Sequence, residues 1–432
     1  MVSVDVPVAL LGYGTVGSAV DRLLRDQAAD IERATGHRLR VVRALVRDRA
    51  KERAADVEVT TDFAAIRDDP GIAVVAEVMG GLQPAGDHVL ELLRAGKSVV
   101  TANKQLVAAR GAELFAAAAE RGVQLRFEAS VCAAIPVVKV LREALVVSNV
   151  HRVLGIVNGT TNFVLTEMER GSSYEAALAE AQRLGFAEAD PTEDVSGKDA
   201  AAKMAILATV AFGSRVTFDD VTYVGLDRVA PEDVAAAREM GMVVRLVGAA
   251  SLVDERWDVR VGPALVDRGH PLAAVEGAFN AVMLQGDAIR EITLEGPGAG
   301  GIETASAVVA DMVTIVGTTG TGFLQNDACW RTLERLPEGD VSSPFYLRVE
   351  VADRPGVLAL VASSLAAHGI SVARLVQQQG EDSATLHVVT HEAPAGRLDD
   401  ALAEIDGLDE TRGSASALPV VSDRGVAELG WA

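Results

Sequence analysis

A chain of 432 residues exceeds one typical core, so two or three domains are expected, and with 49% hydrophobic residues it can bury several cores. Its 40 basic and 61 acidic residues leave a formal charge of −21, which repels phosphate backbones and argues against nucleic-acid binding. Two distant cysteines, Cys132 and Cys329, and seven scattered histidines form neither a disulfide framework nor a zinc spacing.

The longest uncharged stretches, Ala129–Val138 and Met204–Gly213, fall short of the ~20 apolar residues that span a bilayer. The opening MVSVDVPVALLGYG has no basic region or cleavage site of a signal peptide. A cytoplasmic protein with no membrane partner is expected.

In the first part of the chain, short β-branched runs alternate with amphipathic, alanine- and leucine-rich segments. The spacing predicts strands at Val6–Leu11, Leu39–Val46, Val57–Thr60, Ile72–Val78, Lys97–Thr101 and Val123–Glu128. Helices are predicted between them at Ser18–Arg33, Gln83–Ala95 and Ala108–Arg121. This is the α/β pattern of a doubly wound, Rossmann-type parallel sheet covered on both faces. The first strand runs into Gly12-Tyr13-Gly14-Thr15-Val16-Gly17, and a G-x-G-x-x-G between strand and helix is a dinucleotide-binding turn. Gly12 permits the tight turn, Gly14 lets a pyrophosphate approach the backbone, and Gly17 lets helix and strand pack closely. The helix opened by Thr15 and Val16 points its N-terminus at the phosphates.

At the end of the second strand, an NAD site places an acidic residue on the ribose hydroxyls. Here Arg47 stands at that place, followed by Asp48. Arginine suits a 2′-phosphate, so NADP is the expected cofactor, with NAD left open by Asp48 and a solvated charge as the plain alternative. Lys104 follows the strand ending at Thr101, at the carboxyl edge where such sheets bind ligands. It is either a cofactor-side group or an ordinary surface lysine.

From Pro136 to Gly301 the pattern is α+β. Strands are expected at Trp257–Val266 and Ala288–Glu295, and helices at Asn162–Glu169, Tyr174–Leu184 and Gly197–Phe212. A helix at Thr304–Thr318 then returns to the first domain. Lys203 lies on an apolar stripe with Ala200, Ile206, Leu207 and Val210, and Asp199 precedes it by one turn. A lysine there is costly unless paired, and desolvation lowers its pKa toward acid–base values. A snorkelling lysine in a helix-face ion pair is the alternative. Upstream, Gly185–Asp194 reads GFAEADPTED, whose carboxylates either solvate a loop or hold a substrate ammonium.

Leu336–Pro344, LPEGDVSSP, is a linker by composition. Beyond it come strand Phe345–Val351, turn Asp353–Gly356, helix Val357–His368, strands Ser371–Gln378 and Ser383–His391, helix Ala395–Ile405 and strand Leu418–Val421. That order, βαββαβ, is ferredoxin-like. The expected division is therefore 1–135, completed by a helix at about 302–330, then 136–301, a linker at 331–344, and 345–432 with a loose tail.

Four blocks in order carry a resemblance: TANKQL (Thr101–Leu106), GIVNGTTNF (Gly155–Phe163), GFAEADPTEDVSGKDAAAKMAILA (Gly185–Ala208) and GPGAGGIETASAVVAD (Gly296–Asp311). Over almost its whole length the chain resembles homoserine dehydrogenase, in the form with a C-terminal ACT domain. The resemblance implies interconversion of L-aspartate 4-semialdehyde and L-homoserine, on the route to threonine and methionine. It implies Lys203 as proton donor to the carbonyl oxygen and Lys104 as its companion at the nicotinamide, with Thr101 beside the cofactor. Gly185, Glu188, Asp194 and Asp199 resemble substrate-binding positions, with Glu188 gripping the amino group. Gly300, in the loop Gly298-Ala299-Gly300, would lie near the nicotinamide. A homo-oligomer, dimer or tetramer, and L-threonine inhibition through the ACT domain are also implied.

The family's sodium ion would fall to Glu128 and the carbonyls of Val131, Ala133 and Ile135. Cys132, Ala133 and Ala134 stand where the family often has glycine, which restricts φ there. Glu303 replaces a frequent proline, and both suit the first turn of a helix. Two other readings remain: another amino-acid-linked dehydrogenase on this scaffold, or a catalytically silent dinucleotide sensor. The sensor would have lost Lys104 or Lys203, and both are present.

Overall fold

The computed structural model describes residues 4–51, 53, 57–317, 334–380 and 383–421. The later part of the expected returning helix, Cys329 and the C-terminal tail lie outside them. The described residues form two compact units, one of 4–159, 199–222 and 279–317, the other of 160–198, 223–278 and 334–421.

In the first unit, β1 (Val4–Leu11), β2 (His37–Leu45), β3 (Glu58–Thr60), β4 (Val74–Glu77), β5 (Ser98–Thr101) and β6 (Leu125–Arg126) form a wholly parallel sheet. Its order is β3-β2-β1-β4-β5-β6, the doubly wound order whose switch point lies between β1 and β4. Val8–Leu11, Val74–Ala76 and Val99–Val100 are all buried, as continuous apolar runs are in a sheet covered on both faces. The helix Gly301–Gly317 returns to this sheet, with Ala305, Val308 and Met312 in one core with Val8, Val20 and Leu24. Antiparallel strands Val150–Ile156, Phe279–Gly286 and Arg290–Pro297 complete the unit.

Two helices differ most from expectation. The single helix read at Ser18–Arg33 is two, Thr15–Asp26 and Ala28–Thr35, because Gln27 leaves helical geometry and serves as the cap of both. The helix read from Ala108 begins at Lys104, since the Asn103 side chain accepts the Leu106 N–H and caps it there.

In the second unit, strands Met242–Val253 and Arg256–Asp267 form a long antiparallel hairpin. The C-terminal segment is βαββαβ as expected: Phe345–Ala352, Val357–Ala367, Val372–Gln379, Ser383–Thr390, Ala395–Asp406 and Ser416–Val421. Its last strand pairs with the first of this set and, on its other edge, runs parallel to Arg256–Asp267 through Leu265↔Val420 and Val266↔Val421. The same sheet grips helix Pro231–Glu239. Buried Asp233 accepts the Ala230 N–H at 2.9 Å and the Tyr346 hydroxyl at 3.0 Å, and pairs with Arg348 at 3.0 Å. At the helix's other end, Arg374 donates to Met240 O at 2.7 Å. Among the described residues, no helix is long and apolar enough to cross a membrane.

Candidate functional site

β1 delivers the glycine turn. Gly12 has φ +102°, and a Cβ on it would lie 2.9 Å from Val78 O just beyond β4, so the turn occupies the β1/β4 crevice. A Cβ on Gly17 would collide with Gly12 O. Gly14 faces open space and precedes the first helical residue, Thr15, so unpaired helix N–H groups meet whatever approaches. The Tyr13 hydroxyl donates to buried Asp21, which also pairs with Arg25 at 2.7 Å, so the turn is braced to its own helix. Burial, then Asp21, push the Tyr13 phenol well above its usual range.

Past β2, Arg47 is exposed, while Asp48 accepts the Ala50 N–H at 2.8 Å and closes its own loop. Thr101, at the end of β5, is buried. Its hydroxyl donates to Glu77 at 2.6 Å and accepts the Asn103 N–H at 3.0 Å. Glu77 in turn accepts from Met79 and Gly80, so the Thr101 side chain braces the loop that presents Lys104.

Asp199, one residue into helix Lys198–Phe212, is the centre of the charged cluster. Lys104 Nζ lies 2.6 Å from one of its oxygens and Lys203 Nζ lies 2.8 Å from the other. Lys203 also donates to Val157 O at 2.7 Å, and Asn158 Nδ2 donates to Asp199 at 2.9 Å. Burial by itself raises the Asp199 carboxyl, but Lys203 and Lys104 outweigh it and hold the group well below the usual carboxylate range. Ala200, Ile206 and Leu207 beside Lys203 are buried, so the apolar stripe exists and the lysine on it is paired. Two ammonium groups on one carboxylate leave a positive charge, suited to an oxygen on which negative charge develops. Sequence reasoning missed Asn158, an uncharged residue whose only signal was its place in GIVNGTTNF.

Gly185, Glu188 and Asp194 belong to the second unit, apart from the unit that holds both lysines. Gly185 ends helix Tyr174–Leu184 with φ +80°, and Glu188 is exposed. The Thr160 hydroxyl lies 3.1 Å from the Asp194 carboxylate and 2.6 Å from Phe186 O, tying this acidic loop together.

Buried Glu128 accepts the N–H groups of Val138 and Lys139, each at 2.8 Å, and its own N–H donates to Asp311 at 2.9 Å. Burial, with the Asp311 charge adding to it, pushes the Glu128 carboxyl up to about 7. Cys132 and Ala133 have φ of +54° and +42°, so this loop keeps a left-handed path without glycine. That conformation costs ~1–2 kcal/mol per residue. Burial pushes the Cys132 thiol up to about 11, so it is an inert filler. Gly300 has φ +133° at the entry to helix Gly301–Gly317, and Glu303 occupies the space a side chain there would need.

Three family models match the chain: homoserine dehydrogenase, NAD binding domain, over residues 12–128; homoserine dehydrogenase over 136–313; and the ACT domain over 345–410. A homoserine dehydrogenase of Mycobacterium tuberculosis is 41% identical, covering 96% of this chain and 97% of the relative. That of Bacillus subtilis is 38% identical, covering 93% and 95%. The crystal structure of a homoserine dehydrogenase from Thiobacillus denitrificans superposes with a TM-score of 0.92 at 38% identity, covering 97% of this chain and 98% of that one. A hyperthermophilic archaeal homoserine dehydrogenase in complex with NADPH gives a TM-score of 0.62 at 29% identity, covering 72% and 97%. With a dinucleotide turn at the switch point, two lysines on one buried aspartate and relatives matched over nearly their whole length, the chain belongs to the homoserine dehydrogenase family.

Proposed function

We propose that Lys203 and Lys104, fixed on Asp199, carry the acid–base step in the interconversion of L-aspartate 4-semialdehyde and L-homoserine, the reaction of this family. The supporting observation is the buried carboxylate that bridges the two ammonium groups. The open approach at Gly14 fits the pyrophosphate of a nicotinamide dinucleotide, which when bound would supply or take up the hydride. As charge develops on the aldehyde oxygen, Lys203 stabilises and protonates it, while Lys104 holds the oxygen in place. In the reverse direction a neutral lysine takes the hydroxyl proton. Glu188 binds the substrate amino group, and Gly185 and Asp194 shape the surrounding loop.

NADP is the proposed dinucleotide, with Thr101 and Gly300 beside its nicotinamide. Exposed Arg47 and the Asp48 carboxylate turned into its own loop support this, as does the NADPH bound to the archaeal relative. Following NAD(P)H absorbance with aspartate semialdehyde tests both readings. kcat/KM is expected to favour NADPH, and Arg47→Ser to narrow that preference by about tenfold. Equal use of both cofactors would remove Arg47 from its role, and no turnover with either would remove the reaction.

A sodium ion on Glu128 and the carbonyls of Val131, Ala133 and Ile135 is part of the same proposal. The left-handed path kept by Cys132 and Ala133 supports it, because carbonyl ligation needs the path and not the glycines. The division at 1–135, 136–301 and 345–432 is supported by the three matched segments. Assembly as a homodimer or tetramer is supported by the edge strand Val372–Gln379, which exposes Val372 and Leu375. A cytoplasmic location belongs to the same proposal, supported by the biosynthetic reaction of the family.

The ACT domain is proposed to bind L-threonine and lower activity. Titrating the full chain with threonine is expected to reduce the rate by at least about fivefold, the lower range of allosteric coupling. An unchanged rate at saturating threonine would leave the domain a pairing module.

A further inference from the structure

Asn280 is fully buried in strand Phe279–Gly286, opposite Gly296 of the neighbouring strand. Among the described residues, neither its amide oxygen nor its amide nitrogen has a hydrogen-bond partner in ordinary geometry. A buried amide left with both ends unmatched is costly, and a fold that keeps one has a use for it. The amide lies flat against Gly298, where an added Cβ would collide with it. Cys132 is its other neighbour: Lys203, then a weak hydrogen-bonding contact from the amide, draw the thiol's pKa down against the rise that burial imposes, and a thiol is too poor a partner to stand in for the bonds the amide lacks.

The loop above Asn280 reaches the glycine turn. A Cβ on Gly301 would lie 2.8 Å from Thr15 Cγ2. Gly298–Gly301 therefore runs from the unsatisfied amide at one end to the dinucleotide turn at the other. On its Cys132 side lies the left-handed Cys132–Ala133 segment. The amide thus sits between a strained turn and a glycine loop.

We infer that Asn280 is a positioning residue for the dinucleotide: its amide pairs with backbone groups of the Gly298–Gly301 loop once that loop closes on the nicotinamide end. The inference rests on the reading that Gly300 faces the cofactor. Asn280 acts through the loop and touches no reacting atom. The unmatched amide is then a cost of the resting state that cofactor binding repays.

The test is equilibrium binding of NADPH to the full-length chain, read by nucleotide fluorescence beside a thermal melt. Asn280→Leu keeps the volume and removes both polar atoms. Its melting temperature should hold or rise, while the NADPH Kd rises about tenfold. A purely structural amide would give neither that split nor any loss of affinity. Asn280→Ala should raise the Kd similarly if leucine overpacks the site. An NADPH Kd within about twofold of the parent in both variants overturns the inference, whatever the melts show. Two variants that no longer fold overturn it equally, because the amide would then be needed by the resting fold. Gly300→Ala is the control for the underlying reading. If it weakens NADPH binding and Asn280→Leu does not, only the Asn280 assignment fails, whereas if Gly300→Ala is silent the loop reading fails.

Discussion

Lys203→Ala should lower kcat by about 10³ in both directions, the middle of the range for a positioned acid or base, with little change in dinucleotide affinity. Lys203 is held by Asp199 and Val157 O, so its ammonium is placed before substrate arrives. Lys203→Arg separates charge from proton transfer. A guanidinium can replace the ion pair, but its pKa above ~12 makes it a poor acid, so stability should return without the rate. The parent should oxidise homoserine faster as pH rises, because that direction needs a neutral lysine, and the arginine variant should lose this slope. Steady-state kinetics from neutral to alkaline pH check all three. If Lys203→Ala loses less than about tenfold in kcat, another group carries the proton.

Asp199→Asn should produce the next largest change, and in two observables at once. Removing the carboxylate leaves Lys104 and Lys203 facing each other without their shared anion. Breaking a buried pair costs about 3–5 kcal/mol, and the partial exposure of Lys104 places the expected loss at the lower end, about 3 kcal/mol. kcat should fall by about 10² because both ammonium groups lose their register. The stability difference should depend on pH in a set direction. The Asp199 carboxyl is held below its usual value of 3.8 in the folded chain. Its contribution is therefore complete above that value and is lost as pH falls through the folded value. Parent and variant melts should differ most near neutrality and converge in acid. A constant gap across that range would show that the loss has a cause other than the ion pairs.

How much of this was legible depends on what kind of signal each element gave. The parallel sheet was readable because its strands are short, β-branched and punctuated by glycine turns, and Lys203 stood out as a charge on an apolar helix face. The long strands Met242–Val253 and Phe279–Gly286 were not read. Each is a nearly continuous apolar run, and such runs do not separate strand from helix by periodicity. The helix break at Gln27 was also hidden, because nothing in its side chain demands a cap. Within the site, position alone does not separate Lys104 from a surface lysine; its pairing with Asp199, far along the chain, does. Asn158 showed only as one letter of GIVNGTTNF, and Asn280 gave no signal at all. A neutral amide has no charge to betray it, and its importance lies in which partners surround it after folding.

The parallel pairing of Arg256–Asp267 with Ser416–Val421 bears on how the chain is made. The hairpin that contains Leu265 and Val266 leaves the ribosome well before the strand that closes this end of its second edge, while Thr222–Tyr223 and Glu334–Arg335 pair elsewhere along Arg256–Asp267. At about 5–20 residues per second, that end of the edge stays open for roughly eight to thirty seconds. An unpaired edge is a template for wrong partners, so nascent chains of this protein should be most prone to aggregate in that interval. Early termination before Ser416 makes the interval permanent, and it also takes away the last strand of the sheet that grips Asp233 and Met240. The C-terminal domain is thus a late-arriving part of the hairpin's own fold, and loss of its final strand should show first as insoluble product during synthesis.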